Sequence, residues 1–529
     1  MIAAPRSEPP RTPARRESRR GAIALGILVL WLGALALLAR RELFRPKSEM
    51  LAEAALRINP GAVYFAVLRS GEQIGFASST IDTTAKQITA TDYLVADVPL
   101  GGEEKRAEAR SVVTLTRALR VDSFTVSLET DSIPFLASGR VSGDTALVLA
   151  LGDSTSADTT RIKLAEPVLL PTLVPLAVIL GGVPKVGAKT VLSVFDPVEQ
   201  TPKKVSIEIL AESVFVVSDS ARLDSAARRW VTAHDDTVRA WRIRTDGAPA
   251  FVGWVDEQGR LVQADVPGGL SIERRAYEIS FENWKLDAHA RGTRVTADRD
   301  ILETTAIASN RMVRVNRLQE LKVRLHGTSL AGFVISGGRQ RMSGDTMIVR
   351  RESPGALAGV PRHRDSRQWS DSVRQYLRAE PLLPRTPEIA AAARRIVGTE
   401  SDPTEQVRLL NKWVHDSLAK RTTIGVPNAQ TVLRTRTGDC NEHAQLFTAM
   451  ARFLGIPTRV AAGLAYVDGK FYYHAWPEVY LTDWVAVDPT FGQVPADAGH
   501  LRFTVGGLSR QAELLRLIGT LKIDVVSAR

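Results

Sequence analysis

Cysteine occurs once in the 529 residues, at Cys440. A single cysteine excludes any intrachain disulfide and any Cys-rich zinc site. The eight histidines contain no His-Glu-x-x-His pair, so no metal ligands are assigned and no cofactor is expected. A basic face is missing as well. The net charge of +11 is mostly local: residues 1–47 hold nine Arg and one Lys against three Glu, and the remainder carries only +4. That argues against a nucleic-acid partner. The composition, 44% hydrophobic and 24% charged, is that of a globular protein, and the length calls for two or three cores.

Long apolar runs are scarce. The run that stands out, Gly21–Ala39, has 19 residues without a charge and ends at Arg40-Arg41. It is long enough to span a bilayer as a helix. A cleaved signal peptide is the competing reading, with Ala34-Leu35-Ala36 as its cleavage site. Residues 1–20, rich in Pro and Arg, read as a disordered tail. Six arginines precede the run against three arginines and Lys47 just after it. This bias puts the N-terminus in the cytoplasm and the bulk of the chain in the periplasm or outside the cell. Pro167–Leu180 is also apolar, but it is short and broken by Pro171 and Pro175, so it reads as a lid or core segment.

Residues 48–353 have the texture of a large antiparallel β-rich domain, a half-barrel or sandwich, possibly in two parts. Ala62–Leu68 and Gln73–Ala77 flank Ser70-Gly71 as a hairpin, and Val112–Thr116 and Ser123–Leu128 alternate as half-buried strands do. Trp254-Val255 and Leu261-Val262 flank a turn at Asp256–Gly259. Residues 354–375 read as a linker. From 376 to 529 the pattern changes. Pro387–Val397 and Asp402–Lys420 are amphipathic helices, with Trp413 assigned to core packing, and the tail from Leu508 packs back on a domain. The fold class is therefore α+β.

The chemistry-bearing residues cluster late. Ala444, Phe447, Ala451 and Leu454 share a helical face; Asp439 and Glu442 match a capping box, and Gly455 with Pro457 ends the helix. Cys440 then lies in the first turn, where the helix dipole favours thiolate and prepares a nucleophile. Lys470–Leu481 and Trp484–Val487 read as neighbouring strands joined through Thr482-Asp483. A three-residue loop or a bulge makes opposing residue numbers sum to 964 and brings His474 and Asp488 to the same face, with side chains in reach. Pro477 marks a bulge or edge position. His443 is expected on the helix surface, and Trp476 is left open between walling the site and filling the core.

Gly438-Asp439-Cys440-Asn441-Glu442-His443, a helix ending in Gly455-Ile456-Pro457, then Tyr473-His474-Ala475-Trp476 and Val487-Asp488-Pro489-Thr490 together resemble the transglutaminase-like superfamily. The resemblance covers roughly residues 380–500. It implies a papain-like domain of helices on an antiparallel sheet. By position it implies Cys440 as nucleophile, His474 as general base and acid, and Asp488 orienting His474. The implied activity is on amide or acyl bonds of peptides or proteins, peptidase or amidase preferred to crosslinker. The alternatives are a non-catalytic envelope scaffold and a peptide- or lipid-binding protein.

Overall fold

The computed structural model describes residues 58–529 except 85, 131–133, 144, 153–156, 247–250, 267–268, 291–294, 297–298, 354–356 and 358–368. The tail 1–20, the apolar run 21–39 and most of the linker lie outside the described residues. Among the described residues no helix is long and apolar enough to cross a membrane.

Alternating strands from Gly61 to Arg274 form one antiparallel sheet of fourteen strands. The strands from Gly61–Arg69 to Ala157–Lys163 lie side by side in chain order. Leu270–Arg274 pairs back onto Gly61–Arg69, and the others run outward from it to Lys189–Asp196. Turn chemistry sets the hairpins. Arg69 opposes Glu72 across Ser70 and Gly71, both at positive φ, the backbone that a two-residue hairpin needs.

The two edges of this sheet are joined by the chain itself. After Ala157–Lys163, the Leu169 N–H donates to Ser193 O at 2.9 Å and its carbonyl accepts from Phe195 N at 2.7 Å. Leu170, Leu173 and Leu176 then pack with Ile88, Leu115, Phe124, Leu147, Leu149 and Phe195. Pro167–Leu180 is thus a core segment packed on one face of the sheet, as its apolar sequence demands. Gly259 permits this: a Cβ there would lie 2.6 Å from Leu176 Cα. An open pocket beside the Val174–Leu180 helix measures about 290 Å³, the low end of the range for small-molecule sites.

The next stretch packs differently from the sequence expectation. Glu320–His326, Gln340–Ser343 and Thr346–Arg350 form a four-stranded sheet with Lys522–Ala528, near the C-terminus. Leu321, Val323, Met347 and Val349 share a core with Phe471, Leu501, Phe503, Ile523 and Val525. Residues 320–350, grouped with the β-rich region by strand rhythm, therefore belong by packing with the C-terminal part. The cause is non-local: the partner strand is about two hundred residues away. The tail does pack back, through that strand.

The remaining elements follow their local signals. Helices Pro387–Val397 and Pro403–Ser417 are capped by Thr386 and Asp402, with proline at the first helical position. A third helix, Ala429–Thr435, capped by Asn428, went unread. All three pack beside Cys440–Phe453, where Trp413 joins the apolar cluster at its margin.

Candidate active site

Asp439 caps the helix Cys440–Phe453 and places Cys440 at its first position. Asp439 Oδ1 accepts from Asn441 N at 2.9 Å, and Glu442 Oε2 accepts from Asp439 N at 2.9 Å, closing the capping box. Leu454 ends the helix and Gly455 follows at φ +83°, as a C-terminal stop requires. The helix lies on the strand Lys470–Tyr480, and the Ala475 N–H points at the Cys440 sulfur, one residue past His474.

The strand pairing follows the odd register. Glu478 opposes Ala486, Val479 opposes Val485 and Tyr480 opposes Trp484, each pair summing to 964. The loop Leu481–Asp483 sets this, not a bulge: Pro477 sits in unbroken register opposite Val460. Beyond the short strand Trp484–Ala486, Asp488 comes to His474, with Nε2 and Oδ2 2.7 Å apart. Two of the three expected residues are thus hydrogen-bonded, and the third meets the same strand beside them.

Aromatic rings fix the imidazole. Phe491 stacks on His474 with centroids 4.8 Å apart and planes within 7°, and Trp476 stacks at 6.0 Å on the residue's own strand. Trp476 is 1% exposed and packs with Ala461, Ala486 and Ala496, so it fills the core behind the imidazole. His443 is not on the surface. It is fully buried, with Nδ1 2.7 Å from Asp439 O and no partner on Nε2 among the described residues, and burial pushes it down.

Electrostatics overturn one expectation. Burial, then the charges of Asp439, Glu442 and Asp488, push the Cys440 thiol well up, against the opposing Ala475 N–H. Burial first, and the nearby carboxylates after it, work against the thiolate that the helix start favours. Asp488 behaves oppositely: burial works against its charge, yet His474 and His500 hold it far below the ordinary carboxylate range.

Glu442 is pushed up to about 8 by burial and by Asp439. Its contribution to stability is complete below the unfolded carboxylate value and is lost as pH rises through about 8. Glu442→Gln keeps the capping box, since Gln also serves there, and removes that dependence. The melting temperature of the variant relative to wild type should climb from pH 4 to pH 8 and then level. A difference constant with pH would contradict the assignment.

Several site residues were missed. His500, Asp497, Gln493 and the Arg459–Glu478–Arg502 cluster surround the pair. The Asp497-Ala-Gly-His500 spacing was the available signal for the first two. His474, Asp488 and His500 bring ligating atoms within 4.8 Å of one another, a set able to approach a cation. Both imidazoles, however, direct Nε2 at the same carboxylate oxygen at hydrogen-bond distance. That arrangement needs protons on those nitrogens, where a metal needs lone pairs.

Residues 390–489 match the family model described as the transglutaminase-like superfamily. An uncharacterized protein of Haemophilus influenzae is 27% identical over 102 residues, 18% of this chain and 28% of its own length. The match thus spans well under a third of that relative. Among solved structures, a protein from Cytophaga hutchinsonii described as a candidate cysteine protease is 14% identical. The comparison covers 40% of this chain and 86% of that one, with a TM-score of 0.27. The periplasmic domain of TgpA from Pseudomonas aeruginosa is 22% identical over 33% of this chain and 74% of that one, at 0.23. A beta-barrel-like protein of a domain of unknown function from Brucella abortus is 15% identical over 41% of this chain and 95% of that one, at 0.27.

Proposed function

Taking residues 390–489 as a transglutaminase-like domain, we propose that this chain is a cysteine enzyme acting on amide or acyl bonds of peptides or proteins. The observation that carries the reading is the buried 2.7 Å pair of His474 and Asp488 beside a helix that begins at Cys440. With Nε2 given to Asp488, Nδ1 of His474 is the nitrogen left for the thiol. The Cys440 proton passes to His474 as sulfur attacks the carbonyl carbon. The Cys440 backbone N–H, at the first helical position and without an intrahelical acceptor, donates to the oxyanion. His474 returns the proton to the leaving amine as the C–N bond breaks, leaving a thioester. Asp488 holds the imidazole in one tautomer and supports its charge.

Water or an amine then opens the thioester. Hydrolysis, as a peptidase or amidase, is the reading we prefer to crosslinking. Incubating the protein with a glutamine-containing peptide, with and without a labelled amine, separates the two. Release of acid with little adduct supports hydrolysis; adduct in excess of acid moves the assignment to transamidation. No release of either, with Cys440 intact, would count against the enzyme reading. From the sequence of residues 1–47 we also place the chain at the cytoplasmic membrane, single-pass, with its bulk in the periplasm or outside the cell.

A further inference from the structure

We propose that His500 is a positioning residue of this site: clamped by Asp497, it fixes Asp488 as a charged, immobile support for His474. The inference rests on the cysteine-enzyme reading above and extends it to two residues outside the Cys-His-Asp set.

Geometry carries the argument. Asp488 Oδ2 receives two imidazoles, His474 Nε2 at 2.7 Å and His500 Nε2 at 2.9 Å. Its other oxygen, Oδ1, accepts from Thr490 N at 2.6 Å and Phe491 N at 3.0 Å. His500 Nδ1 lies 3.0 Å from Asp497 Oδ1. Both nitrogens of His500 therefore face carboxylate oxygens, which only accept. A neutral imidazole has one N–H and one bare lone pair, so it would set a lone pair against a carboxylate. The imidazolium satisfies both contacts. In accord with this, although burial opposes it, the two carboxylates raise His500 to about 9.

Asp497 is fixed in turn. Its Oδ1 accepts from Gly499 N at 2.9 Å, its Oδ2 from Gln493 Nε2 at 2.9 Å, and its carbonyl from Arg339 at 2.7 Å. Burial works against its charge, yet His500 and these donors hold it at about 2. Asp488, His500 and Asp497 are all 5% exposed or less, so water offers little screening. The other groups facing His500 are the rings of Trp476 at 5.1 Å, His474 at 5.5 Å and Phe491 at 5.9 Å. Arg339, paired with Glu352 at 3.4 Å, lies beyond Asp497.

This chain of charges has a consequence for the chemistry. The His500 cation keeps Asp488 ionised and fixed, so the carboxylate holds His474 through Nε2 and leaves Nδ1 free for the thiol. The strand His500–Val505 places the cation: it flanks Thr458–Val467, whose other side carries the His474 strand. Gly463, opposite both His474 and Arg502 in the two registers, lets the backbones close, since a Cβ there would sit 2.0 Å from Leu501 O.

The test uses the full chain. With 15N-labelled histidine, the His500 ring, assigned by its loss in His500→Gln, should show the imidazolium signature from pH 6 to pH 8 and titrate near 9. In Asp497→Asn the same ring should titrate a pH unit or more lower, at a proton concentration at least tenfold higher. A neutral His500 ring at pH 7 in wild type overturns the proposal. Kinetically, His500→Ala should lower kcat roughly 100-fold with KM within about threefold. His500→Gln, which can still donate to Asp488, should recover part of the loss. Wild-type kcat in folded His500→Ala and Asp497→Asn overturns it. So does activity lost to a chelator and restored by zinc. Full activity in Cys440→Ala instead sinks the cysteine reading, while the ring titration still stands or falls by itself.

Discussion

His474→Ala should lower turnover on the order of 10⁴-fold and slow alkylation of Cys440 at neutral pH, while leaving alkylation in strong base nearly unchanged. The reasoning begins with the thiol. Burial and the carboxylates of Asp439, Glu442 and Asp488 push it well up, so at neutral pH the thiolate fraction is small. On the proposed mechanism the thiolate forms during the encounter, by proton transfer to His474. Removing the imidazole removes that route. Raising the pH through the elevated thiol value supplies thiolate to wild type and variant alike, so their rates converge. Iodoacetamide labelling followed from pH 6 to pH 11 measures both regimes. Equal rates at pH 7 would mean that His474 does not serve Cys440.

The parts of this site set by short spacings were legible in the chain. Asp439 and Glu442 are three residues apart, and the capping box formed as written. The three-residue loop at Leu481–Asp483 fixed the 964 register and with it the approach of Asp488 to His474. What escaped is what strand order decides. His500 reaches Asp488 only because His500–Val505 lies next to Thr458–Val467, and no local pattern states that neighbour. The same holds for Glu320–His326, which reads as one more strand of a β-rich region until Lys522–Ala528 is seen beside it. The upward push on the thiol was hidden for a related reason. The helix dipole follows from sequence position, whereas the burial that outweighs it follows from packing. His443 went wrong alike: its spacing suits a surface, but the helix is enclosed by elements on nearly every side.

Glu478→Gln should be the most destabilising single change in the polar core, costing about 3–5 kcal/mol. Glu478 shares its strand face with His474 and Trp476 and is 2% exposed. Its Oε2 accepts from Arg459 at 2.6 and 2.8 Å, and its Oε1 from Arg502 at 2.9 Å. Arg502 also donates to the carbonyls of Val334 and Gly337, tying the His500 strand to the loop at 334–337. Arg459 is covered by Trp484 at 3.9 Å. Burial alone would raise the Glu478 carboxyl, but Arg502 and Arg459 overcome it and hold it below its ordinary value. An amide of the same shape keeps the volume and leaves two guanidinium charges without a counter-charge, the costly case for a buried ion pair. The sign with pH follows from the lowered value. The stabilisation is present above the unfolded carboxylate value near 4.3 and is lost as pH falls through the lower folded one. Wild type should therefore melt well above Glu478→Gln at pH 7, by roughly 6–20 °C at about 2–4 °C per kcal/mol. The gap should begin to narrow as the pH falls below about 4.3, where the unfolded chain takes up the proton, and should close once Glu478 is protonated in the folded chain as well. Thermal melts at pH 7, 5 and 3 measure this, and a gap of under 2 °C at pH 7 would show that the two arginines do not depend on Glu478.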